Sequence, residues 1–471
     1  MNNLTMWIDD EQVTSDEKVD VLNKYTQEVF ATIPEATHNQ VDKAVKAAKK
    51  SQEVEFSPYE RYEVLRKVAE LLEERVDDFA EVMTQEVGKT LKECKGEVTR
   101  SVQTLLISAE EAKRIHGEGV PVESAPGSEN RMAFTIRVPV GVVAAITPFN
   151  VPLNLVCHKI GPAIAAGNSV ILKPGEKTPV VALKLAELFR EAGLLKNRLQ
   201  VVTGWGHTVG EYMLDHQGID MYTFTGSKKV GEQIKKKAGM RKVSLELGNN
   251  SATIIHDDAD LNKASDLVAA RGYNNAGQVC ISVQRVYVHE SKYNEFSSLL
   301  KEKVDALNLG DPFDEQTDVG PMISEEAAKT VKEWVDEAVS EGAELITGGE
   351  QNGALFKPTL LGYVTPNMRV CREEVFGPVV SLIPYSNFDE VLDQVNDSEY
   401  GLQAGLFTTN LNLAMKAARK IEVGGLIIND TSAYRVDQMP YGGVKSSGNG
   451  KEGPKYAIEE MTEERLVVFN L

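Results

Sequence analysis

The chain has 471 residues, 42% of them hydrophobic and 26% charged, which is enough for two or three globular domains and argues against disorder. Its 70 acidic and 51 basic residues give a formal net charge of -19, which argues against nucleic acid or an anionic membrane surface as a partner. The N-terminal residues lack a secretory signal, and no apolar stretch is long enough to span a membrane, so we expect a cytoplasmic protein.

From Thr37 onward the sequence predicts helices. Thr37 suits a helix N-cap, and Val41, Val45 and Ala48 recur at the spacing of one helical face. The same periodicity continues through "ERYEVLRKVAELLEERVDDFAEVMTQEV". We therefore expect the first hundred residues to be mainly helical.

The pattern then changes to short apolar runs. "TIRVPVGVVAAITPF" is rich in β-branched residues, and it is followed by "SVILKPG", "LQVVTG", "MYTFTG" and "KVSLELG". Helical segments such as "PVVALKLAELFREAG" separate these runs. Strands that alternate with helices in this way predict a parallel sheet with both faces covered, in which ligands bind beyond the carboxyl ends of the strands.

After Gly248 the pattern begins again and predicts a second α/β unit, which extends to about Gly443. Its first strand is "SATIIH", and helices are expected over 261–276, 293–304 and 325–340. The final segment, "MTEERLVVFNL", predicts a late apolar strand. A strand of this kind needs a partner, so we expect an oligomer.

The cysteines and histidines show no metal-binding pattern. The four cysteines lie far apart without a CxxC pair, which argues against both a disulfide framework and a zinc site. The seven histidines include no HExxH motif, so we expect no metal. The cysteines are Cys94, Cys157, Cys280 and Cys371.

Two strand-to-helix turns have the composition of a nucleotide site. In "FTGSKKVG", Gly226, Ser227 and Gly231 surround a helix start, where backbone N–H groups suit a pyrophosphate. In "ILKPGEKTP", Lys173 and Glu176 end a strand and could bind the hydroxyls of an adenosine ribose. When each motif is taken alone, an ordinary glycine turn and a surface ion pair are the more common explanations.

An amide-bearing segment, "TPFNVPLNLVCHK", carries Asn150, Asn154 and His158 at four-residue intervals. A helix that began at the proline of this segment would place the three side chains on one face, and the Asn150 amide could then donate to a developing oxyanion. Buried amides more often satisfy backbone groups, and an isolated histidine of this kind is more often structural.

Three further motifs contain groups that could take part in chemistry. Glu246 ends an apolar strand, where burial would raise its pKa towards the range of a general base, whereas an edge position would leave it in water. Cys280, in "NNAGQVCISVQR", has aliphatic neighbours, which are typical of a core thiol unless other groups activate it. "CREEVFGPV" places Glu374 two residues before Phe376.

Taken in order, "TPFN", "KPGE", "FTGS", "LELG", "GQVC", "EEVFGPV" and "PYGGVKSSGNGKEG" resemble the successive signatures of the aldehyde dehydrogenase superfamily over nearly the whole chain. The resemblance implies an α/β fold with a Rossmann-type parallel-sheet cofactor domain at 1–119 and 140–247. It implies a second α/β catalytic domain at 248–445. A small β oligomerisation element would comprise 120–139 and 446–471, and the enzyme would be a homodimer or homotetramer.

The resemblance also implies roles for the catalytic residues. Cys280 would be the nucleophile that adds to the aldehyde, and Asn150 would stabilise the alkoxide together with the backbone N–H of Cys280. Glu246 would activate the water that hydrolyses the thioester. The product would be a carboxylic acid.

The cofactor implied by the resemblance is a nicotinamide dinucleotide. Lys173 and Glu176 would bind the adenosine ribose, and Ser227 would bind the pyrophosphate in the turn that carries Gly226 and Gly231. Glu374 would bind the nicotinamide ribose with Phe376 packed beside it. Because the Glu176 carboxylate would repel a 2'-phosphate, we expect NAD rather than NADP.

The substrate pocket implied by the resemblance combines aliphatic and charged residues. Val279 and Ile281 flank the cysteine, while His158, Arg100 and Arg435 would favour a small polar or anionic aldehyde, unless both arginines form surface ion pairs. The segments "CISVQR" and "RVDQMPYGG" most resemble the lactaldehyde dehydrogenase-like branch. We therefore expect the substrate to be lactaldehyde or a similar 2-hydroxyaldehyde, including one that carries a sulfonate or phosphonate tail.

The alternative activities are those of a semialdehyde dehydrogenase, a non-phosphorylating glyceraldehyde-3-phosphate dehydrogenase and a coenzyme A-acylating enzyme. A non-catalytic protein that retains the fold is a further alternative. Relatives that act on glyceraldehyde 3-phosphate carry an arginine where Val279 stands, and the hydrolytic base Glu246 disfavours coenzyme A.

One residue departs from the family pattern. Asn249 occupies the place of a second glycine after Gly248, although asparagine tolerates a left-handed backbone.

Overall fold

The computed structural model describes residues 2–471. Its helices are α1 (His38–Ser51), α2 (Pro58–Glu73), α3 (Val76–Val87), α4 (Leu91–Ala112), α5 (Asn154–Ala165), α6 (Val180–Glu191), α7 (Glu211–Asp215), α8 (Lys228–Ala238), α9 (Leu261–Gly272), α10 (Tyr293–Asp305), α11 (Glu325–Ser340), α12 (Arg369–Arg372), α13 (Phe388–Asn396), α14 (Leu411–Lys420) and α15 (Pro454–Glu460).

Most of the strands are short, as is usual in α/β proteins. They are β1 (Asn2–Asn3), β2 (Met6–Ile8), β3 (Glu11–Val13), β4 (Lys18–Leu22), β5 (Val29–Pro34), β6 (Gly119–Val120), β7 (Arg131–Pro139), β8 (Val142–Ile146), β9 (Ser169–Lys173), β10 (Leu199–Val201), β11 (Met221–Thr225), β12 (Lys242–Glu246), β13 (Ala252–Ile255), β14 (Arg285–His289), β15 (Glu344–Thr347), β16 (Gln351–Asn352), β17 (Leu355–Phe356), β18 (Thr359–Gly362), β19 (Val379–Tyr385), β20 (Gln403–Phe407), β21 (Gly425–Ile428) and β22 (Thr462–Asn470).

The N-terminal region is partly helical and partly extended. Thr37 caps α1 and forms a capping box with Gln40, as its sequence predicts. The expectation that the first hundred residues are mainly helical is wrong for residues 2–34, which contain β1 to β5. In β4 the buried residues Val19 and Val21 alternate with exposed ones, and this two-residue period specifies a half-buried strand rather than a helix.

Two seven-stranded sheets form the body of the molecule. The first has the order β12-β11-β8-β9-β10-β2-β3, and the second has the order β15-β18-β19-β14-β13-β20-β21. The strands pair in parallel except at the edges, where β2, β3 and β15 are antiparallel to their neighbours. The predicted parallel α/β sheets are therefore confirmed, with antiparallel edge strands in addition.

The central strands of the first sheet are covered on both faces, since every residue of β8 and β9 is buried. In β8 the side chains of Val143 and Ala145 belong to the core beneath α2 to α6, while those of Val142 and Ala144 belong to the core on the opposite face. The second sheet and its helices enclose a separate core. The carboxyl ends of the parallel strands therefore remain as the place for a ligand.

The C-terminal strand finds its pairing partner within the chain. β22 pairs antiparallel with β7 along nine residues, and β7 also pairs with β6. Leu466, Val468 and Phe469 of β22 remain exposed. Within residues 2–471 no helix combines the length and the apolar character needed to cross a membrane.

Buried charges on α4 hold the start of α5. The Glu97 carboxylate forms a buried ion pair with Lys89 and accepts hydrogen bonds from the backbone N–H groups of Leu153 and Asn154, at 2.9 and 3.1 Å. A carboxylate at this position satisfies amides that the helix itself leaves unpaired and lies at the positive end of the helix dipole. The segment that follows β8 is thereby tied to α4.

We expect Glu97→Ala to destabilise the fold by about 3–5 kcal/mol, because it leaves the Lys89 ammonium buried without a partner. The measurement is the thermal unfolding midpoint followed by circular dichroism. Glu110→Ala, on the same helix but with an exposed ion pair to Lys113, is the matched control and is expected to change stability by no more than about 0.5 kcal/mol. Equal midpoints for the two variants would refute this account.

Candidate active site

Cys280 lies in the loop between α9 and β14, at the junction of the two sheets. It is partly exposed, whereas Cys94, Cys157 and Cys371 are buried. Its Sγ atom lies 2.9 Å from the hydroxyl oxygen of Tyr441. Burial raises the pKa of the thiol to about 12, although the hydrogen bond with Tyr441 acts in the opposite direction. The residue therefore keeps some contact with solvent, but its thiol needs partners that favour the thiolate.

The wall around the sulfur is apolar. Ile281 and Tyr441 form a small buried cluster with Leu402, and Val279 and Cys280 pack against it. The structure thus places the two predicted flanking residues, Val279 and Ile281, beside the cysteine. A wall of this kind keeps water away from one side of the sulfur.

Two asparagines join the loop after β8 to the cysteine loop. The Asn150 amide donates to the carbonyl oxygen of Gln278 at 2.9 Å. Asn275 donates to the carbonyl oxygens of Asn150 and Gln278 at 3.1 and 3.3 Å. Asn150 is therefore held two residues from Cys280 along the loop, and its side-chain oxygen is buried without a hydrogen-bond partner.

The prediction that Asn150, Asn154 and His158 share one helical face is wrong for Asn150. Helix α5 begins at Asn154, so Asn150 lies in the turn that precedes it. The residue before a proline disfavours the α conformation, and Pro152 therefore keeps Val151 out of a helix. Asn154 and His158 do lie on α5 and contact the same carboxylate, as described below.

The backbone of the cysteine loop is unusual. Helix α9 ends at Gly272 rather than at residue 276 as predicted, because Tyr273 already departs from helical geometry with a φ of -120°. Beyond it, Asn275 and Ala276 have φ angles of 51° and 52°. This left-handed conformation is costly for residues with a side chain and persists only where neighbouring groups impose it. Here Glu93 of α4 accepts a hydrogen bond from the Asn275 backbone N–H at 2.8 Å.

Glu246 is the last residue of β12 and is almost fully buried, with 3% of its surface exposed. Neither carboxylate oxygen has a hydrogen-bond partner. Burial, together with the negative charge of Glu452, raises its pKa well above the ordinary value, and the nearby Lys159 and Arg435 only partly oppose this. A Cβ atom on Gly442 would lie 2.9 Å from Oε1, so glycine is needed beside this carboxyl.

Arg435 is buried and paired. Its Nη2 group donates to Glu452 at 2.7 Å and lies 3.1 Å from Nε2 of His158, while its Nε atom is buried without a partner. Burial opposes the charge on Glu452, but Arg435 and Lys159, whose Nζ atom is 3.6 Å from Glu452, lower the pKa of that carboxyl to about 2. Glu452 is therefore ionised.

Asp437 holds the other basic group. It accepts two hydrogen bonds from Arg100, at 2.7 and 3.2 Å, and one each from Asn154 and His158, at 3.1 and 3.0 Å. These contacts outweigh burial and keep the pKa of Asp437 well below its usual range. Burial lowers the pKa of His158, so the imidazole is neutral at pH 7.

The structure joins His158 and Arg100 through Asp437 and places Arg435 3.1 Å from His158, and each arginine has a carboxylate partner. The Arg435 pair is buried, with side chains 9% and 6% exposed, and is not the surface ion pair considered as its alternative. The Arg100 pair is half open, since Arg100 is 41% exposed and Asp437 6% exposed.

A cleft of about 540 Å³ opens at the carboxyl ends of β8, β9 and β11. Lys173, Glu176 and Gly226 line it, and the Lys173 ammonium lies 3.3 Å from Glu176. Ser227 is the exposed N-cap of α8, and its side chain makes no capping hydrogen bond. Gly231 faces Leu247 instead, at 2.5 Å from where its Cβ would be, so it permits packing of α8 and does not line the cleft.

Glu374 and Phe376 lie between this cleft and the cysteine. Glu374 accepts a hydrogen bond from the Asn249 backbone N–H at 3.0 Å, and burial raises its pKa to about 7. The ring of Phe376 meets that of Phe149, a residue of the cleft, edge to face at 5.9 Å. A Cβ atom on Gly248 would lie 2.4 Å from Glu374, so this first glycine is required.

Asn249 accommodates the turn differently from the expectation. It is absent from the residues with positive φ, so its tolerance of a left-handed backbone is not used. Its side chain instead donates to the Ser251 hydroxyl at 2.6 Å and accepts from the Leu402 backbone at 3.4 Å. Asparagine thereby links β12 and β13 to the segment before β20.

The sequence model described as the aldehyde dehydrogenase family matches residues 7–467. The chain belongs to the aldehyde dehydrogenase family. It is an enzyme with the fold of that family, acts on an aldehyde and uses a nicotinamide cofactor. These conclusions agree with the resemblance of the seven successive motifs.

Three similar proteins illustrate the range of the family. A 3-sulfolactaldehyde dehydrogenase from Priestia aryabhattai is 65% identical over 99% of this chain and 98% of its own length. A lactaldehyde dehydrogenase from Methanococcus maripaludis is 41% identical over 96% of this chain and 97% of its own. The crystal structure of a glyceraldehyde-3-phosphate dehydrogenase from Methanocaldococcus jannaschii with NADP is 40% identical, with a TM-score of 0.93 over 97% of this chain and all of that one.

Sequence reasoning missed four residues that shape this dehydrogenase site. Glu452 and Tyr441 stand inside the quoted motif "PYGGVKSSGNGKEG", and Asp437 is two residues from Arg435, so proximity to known motifs was the available signal. Lys159 follows His158 on α5 and gave no signal beyond that position. Each of these four residues contacts a residue from a distant segment of the chain, and only the fold brings the two segments together.

Proposed function

We propose that this protein is an NAD-dependent dehydrogenase of a small 2-hydroxyaldehyde with an anionic tail, 3-sulfolactaldehyde being favoured over lactaldehyde. The observation that carries the proposal is the position of an accessible thiol, Cys280, next to the Asn150 turn and within a cluster that also contains Arg435. We assign cofactor binding to 1–119 and 140–247, and catalysis to 248–445.

The chemistry begins at Cys280. Its thiolate adds to the aldehyde carbon, the new S–C bond forms and the carbonyl π electrons move to the oxygen. Asn150 uses one amide hydrogen on Gln278 and retains a second for this oxyanion. A nicotinamide dinucleotide held by Lys173, Glu176 and Glu374 would supply the acceptor for the hydride that leaves this carbon. A thioester on Cys280 remains.

Glu246 is assigned the second half of the reaction. As a carboxylate it would take a proton from the water that attacks the thioester, which releases the acid and restores Cys280. Its raised pKa and its two unpartnered oxygens support this role, because a base near neutral pH needs a basic carboxylate with a free site for water.

We expect Glu246→Gln to form NADH in the first turnover but to lose about a hundredfold or more in steady-state rate, because it cannot activate water. Stopped-flow absorbance and the intact mass of the acylated enzyme measure the two effects. In the wild type, activity rises with pH as Glu246 loses its proton, and its raised pKa moves this rise above the ordinary glutamate range. The exposed Glu232→Gln is the control, and an unchanged steady-state rate would contradict the assignment.

The cleft fits a dinucleotide. Its glycine-lined turn at Gly226 lies beside the N-terminus of α8, where Ser227 has an unused hydroxyl and backbone N–H groups suit a pyrophosphate. Lys173 and Glu176 would hold the adenosine ribose, and Glu374 and Phe376 would border the nicotinamide ribose. The Glu176 carboxylate supports NAD, because a 2'-phosphate beside it would be repelled.

We expect a higher kcat/KM with NAD than with NADP, and we expect Glu176→Gln to raise the relative efficiency with NADP by about tenfold through loss of repulsion. Steady-state kinetics with both cofactors measure the ratio. Glu187→Gln, an exposed change on α6, is the control. A wild-type preference for NADP would overturn the proposal for NAD.

The two arginines support an anionic substrate although they are paired. Arg100 donates to Asp437 through Nε and one terminal nitrogen, and Arg435 uses one terminal nitrogen for Glu452. Each guanidinium therefore keeps an N–H edge for a sulfonate, and Arg435 also has its buried Nε. The 65% identity to a 3-sulfolactaldehyde dehydrogenase supports the same substrate.

We expect Arg100→Gln to lower the ratio of kcat/KM for 3-sulfolactaldehyde to that for lactaldehyde by about tenfold or more, the usual worth of a charge-assisted hydrogen bond. Arg100 is chosen because its side chain is 41% exposed, whereas that of Arg435 is only 9% exposed. Arg114→Gln, an exposed arginine beyond α4, is the control. An unchanged ratio, or hexanal as the best wild-type substrate, would defeat the idea of an anion-binding pocket.

Glyceraldehyde 3-phosphate is the second candidate substrate, because the similar crystal structure belongs to a glyceraldehyde-3-phosphate dehydrogenase. Val279 offers no cation beside the cysteine for a phosphate, which favours the smaller anion. Including glyceraldehyde 3-phosphate and succinate semialdehyde in the same kinetic series ranks the alternatives.

We also propose that the sheet of β6, β7 and β22 mediates a homodimer or homotetramer, with 120–139 and 446–471 as the oligomerisation element. Met132, Ile136, Leu466, Val468 and Phe469 leave apolar side chains exposed on this sheet. Among residues 2–471 no strand pairs with the outer edge of β22. A solution mass of one chain, measured by light scattering, would contradict this.

A further inference from the structure

Tyr441 is the polar group in contact with the sulfur of Cys280. The hydroxyl oxygen lies 2.9 Å from Sγ, and this is the one hydrogen bond of that hydroxyl among residues 2–471. Tyr441 is 3% exposed, so water does not compete freely for the contact. The roles proposed so far for Cys280, Asn150 and Glu246 leave this hydroxyl without a function.

The hydroxyl is fixed by the backbone and by its neighbours. Tyr441 and Glu452 exchange two backbone hydrogen bonds, of 3.1 and 2.6 Å, so the residue belongs to an antiparallel bridge. Its ring forms the apolar wall with Ile281 and Leu402. A phenol held at both ends in this way cannot turn its hydroxyl away from the sulfur without breaking the wall.

A cation lies over the ring. The guanidinium carbon of Arg435 is 3.8 Å from the ring centroid, and Glu452 holds that guanidinium in place at 2.7 Å. A cation on the face of a phenol withdraws electron density and makes the O–H a stronger hydrogen-bond donor. The Glu452, Arg435, Tyr441 and Cys280 side chains thus form a continuous chain of contacts that ends at the sulfur.

The direction of the hydrogen bond follows from the acidities. Burial, together with the adjacent Cys280, raises the pKa of Tyr441 well above its ordinary value, so the phenol keeps its proton. A thiol sulfur is a weak acceptor, whereas a thiolate is a strong one, and a bond to the charged form favours that form. The Tyr441 contact therefore stabilises the thiolate far more than the thiol.

We propose that Tyr441 is a catalytic residue, whose hydroxyl donates a hydrogen bond to the Cys280 thiolate and thereby makes the nucleophile available before the aldehyde arrives. The inference rests on the proposed function of Cys280. The thiol proton passes to solvent or to a carboxylate base, and Tyr441 keeps its own proton throughout. When the S–C bond forms, the sulfur loses its charge and the hydroxyl is released.

The other charges near the sulfur do not provide this effect by themselves. Arg435 favours the thiolate, but Glu374 and Glu452 oppose it, and burial is the largest influence against it. Among these groups only Tyr441 touches the sulfur. Removal of this hydroxyl should therefore affect the stability of the Cys280 thiolate most directly.

The test measures the thiolate without substrate or cofactor. The rate of alkylation of Cys280 by iodoacetamide is followed against pH, with peptide mass mapping to identify the labelled cysteine. We expect Tyr441→Phe, which removes one oxygen atom and keeps the ring, to slow alkylation near neutral pH by about tenfold or more, as loss of a hydrogen bond to a charged group implies. Because burial keeps the pKa of the Cys280 thiol at about 12, this difference should hold at every pH at which the protein stays folded.

Tyr222→Phe is the matched control. Tyr222 is a buried tyrosine with an arginine over its ring, Arg241 at 4.9 Å, but it belongs to β11 and bonds to backbone carbonyls. It should leave the alkylation profile unchanged. A Tyr441→Phe profile identical to that of the wild type would overturn the role of Tyr441.

The same experiment distinguishes a failure of Cys280 as the nucleophile from a failure of the role of Tyr441. If Cys280 of the wild-type protein is not the cysteine that iodoacetamide labels, the proposed nucleophile itself fails. If Cys280 is labelled but Tyr441→Phe changes nothing, only the role of Tyr441 fails. Thermal unfolding of each variant, expected to match the wild type for Tyr441→Phe to within a few degrees, shows that the fold is retained.

Discussion

The arrangement of the site depends on the hydrogen bonds that join the loop after β8 to the cysteine loop. Asn150 donates to Gln278, and Asn275 donates to Asn150, so the turn of one sheet and the nucleophile loop of the other hold each other in place. These bonds require a left-handed backbone at Asn275, which Glu93 supports from α4. Without them, the distance between the thiol and the amide would not be defined.

Helix α4 acts as the common support of this arrangement. Glu93, Glu97, Arg100 and Thr104 are spaced by four, three and four residues, so they lie on one face of the helix. Along that face they contact Asn275, the start of α5, Asp437 and Asn154 in turn. Helix α4 therefore sets the relative positions of the cysteine loop, the amide turn and the 431–440 loop, in addition to carrying the proposed substrate ligand Arg100.

The buried carboxyl groups of the site differ in whether a cation is paired with them, and this difference matters for the chemistry. Glu452 and Asp437 are each paired with an arginine and stay ionised, whereas Glu246 has no hydrogen-bond partner and a raised pKa. Fixed counter-ions suit groups that only orient others, and an unpaired carboxyl suits a group that must exchange a proton. An arginine that is already paired with a carboxylate can still bind an anionic substrate. It then selects the substrate through the N–H groups that the carboxylate does not use, and not through net charge.

The sequence by itself determined the α/β class, the helix caps and the family, because caps, apolar periods and contiguous motifs are local properties. It also placed Cys280, Asn150, Glu246 and the cleft residues in motifs that the fold brings to the strand ends. The partners of these residues were decided by tertiary structure alone. Tyr441 reaches Cys280 across 161 residues and Asp437 reaches Arg100 across 337, and no local pattern encodes such contacts. The positive φ of Asn275 and the packing of Gly231 against Leu247 likewise overrode helix and turn patterns, since close packing between distant segments outweighs local preference.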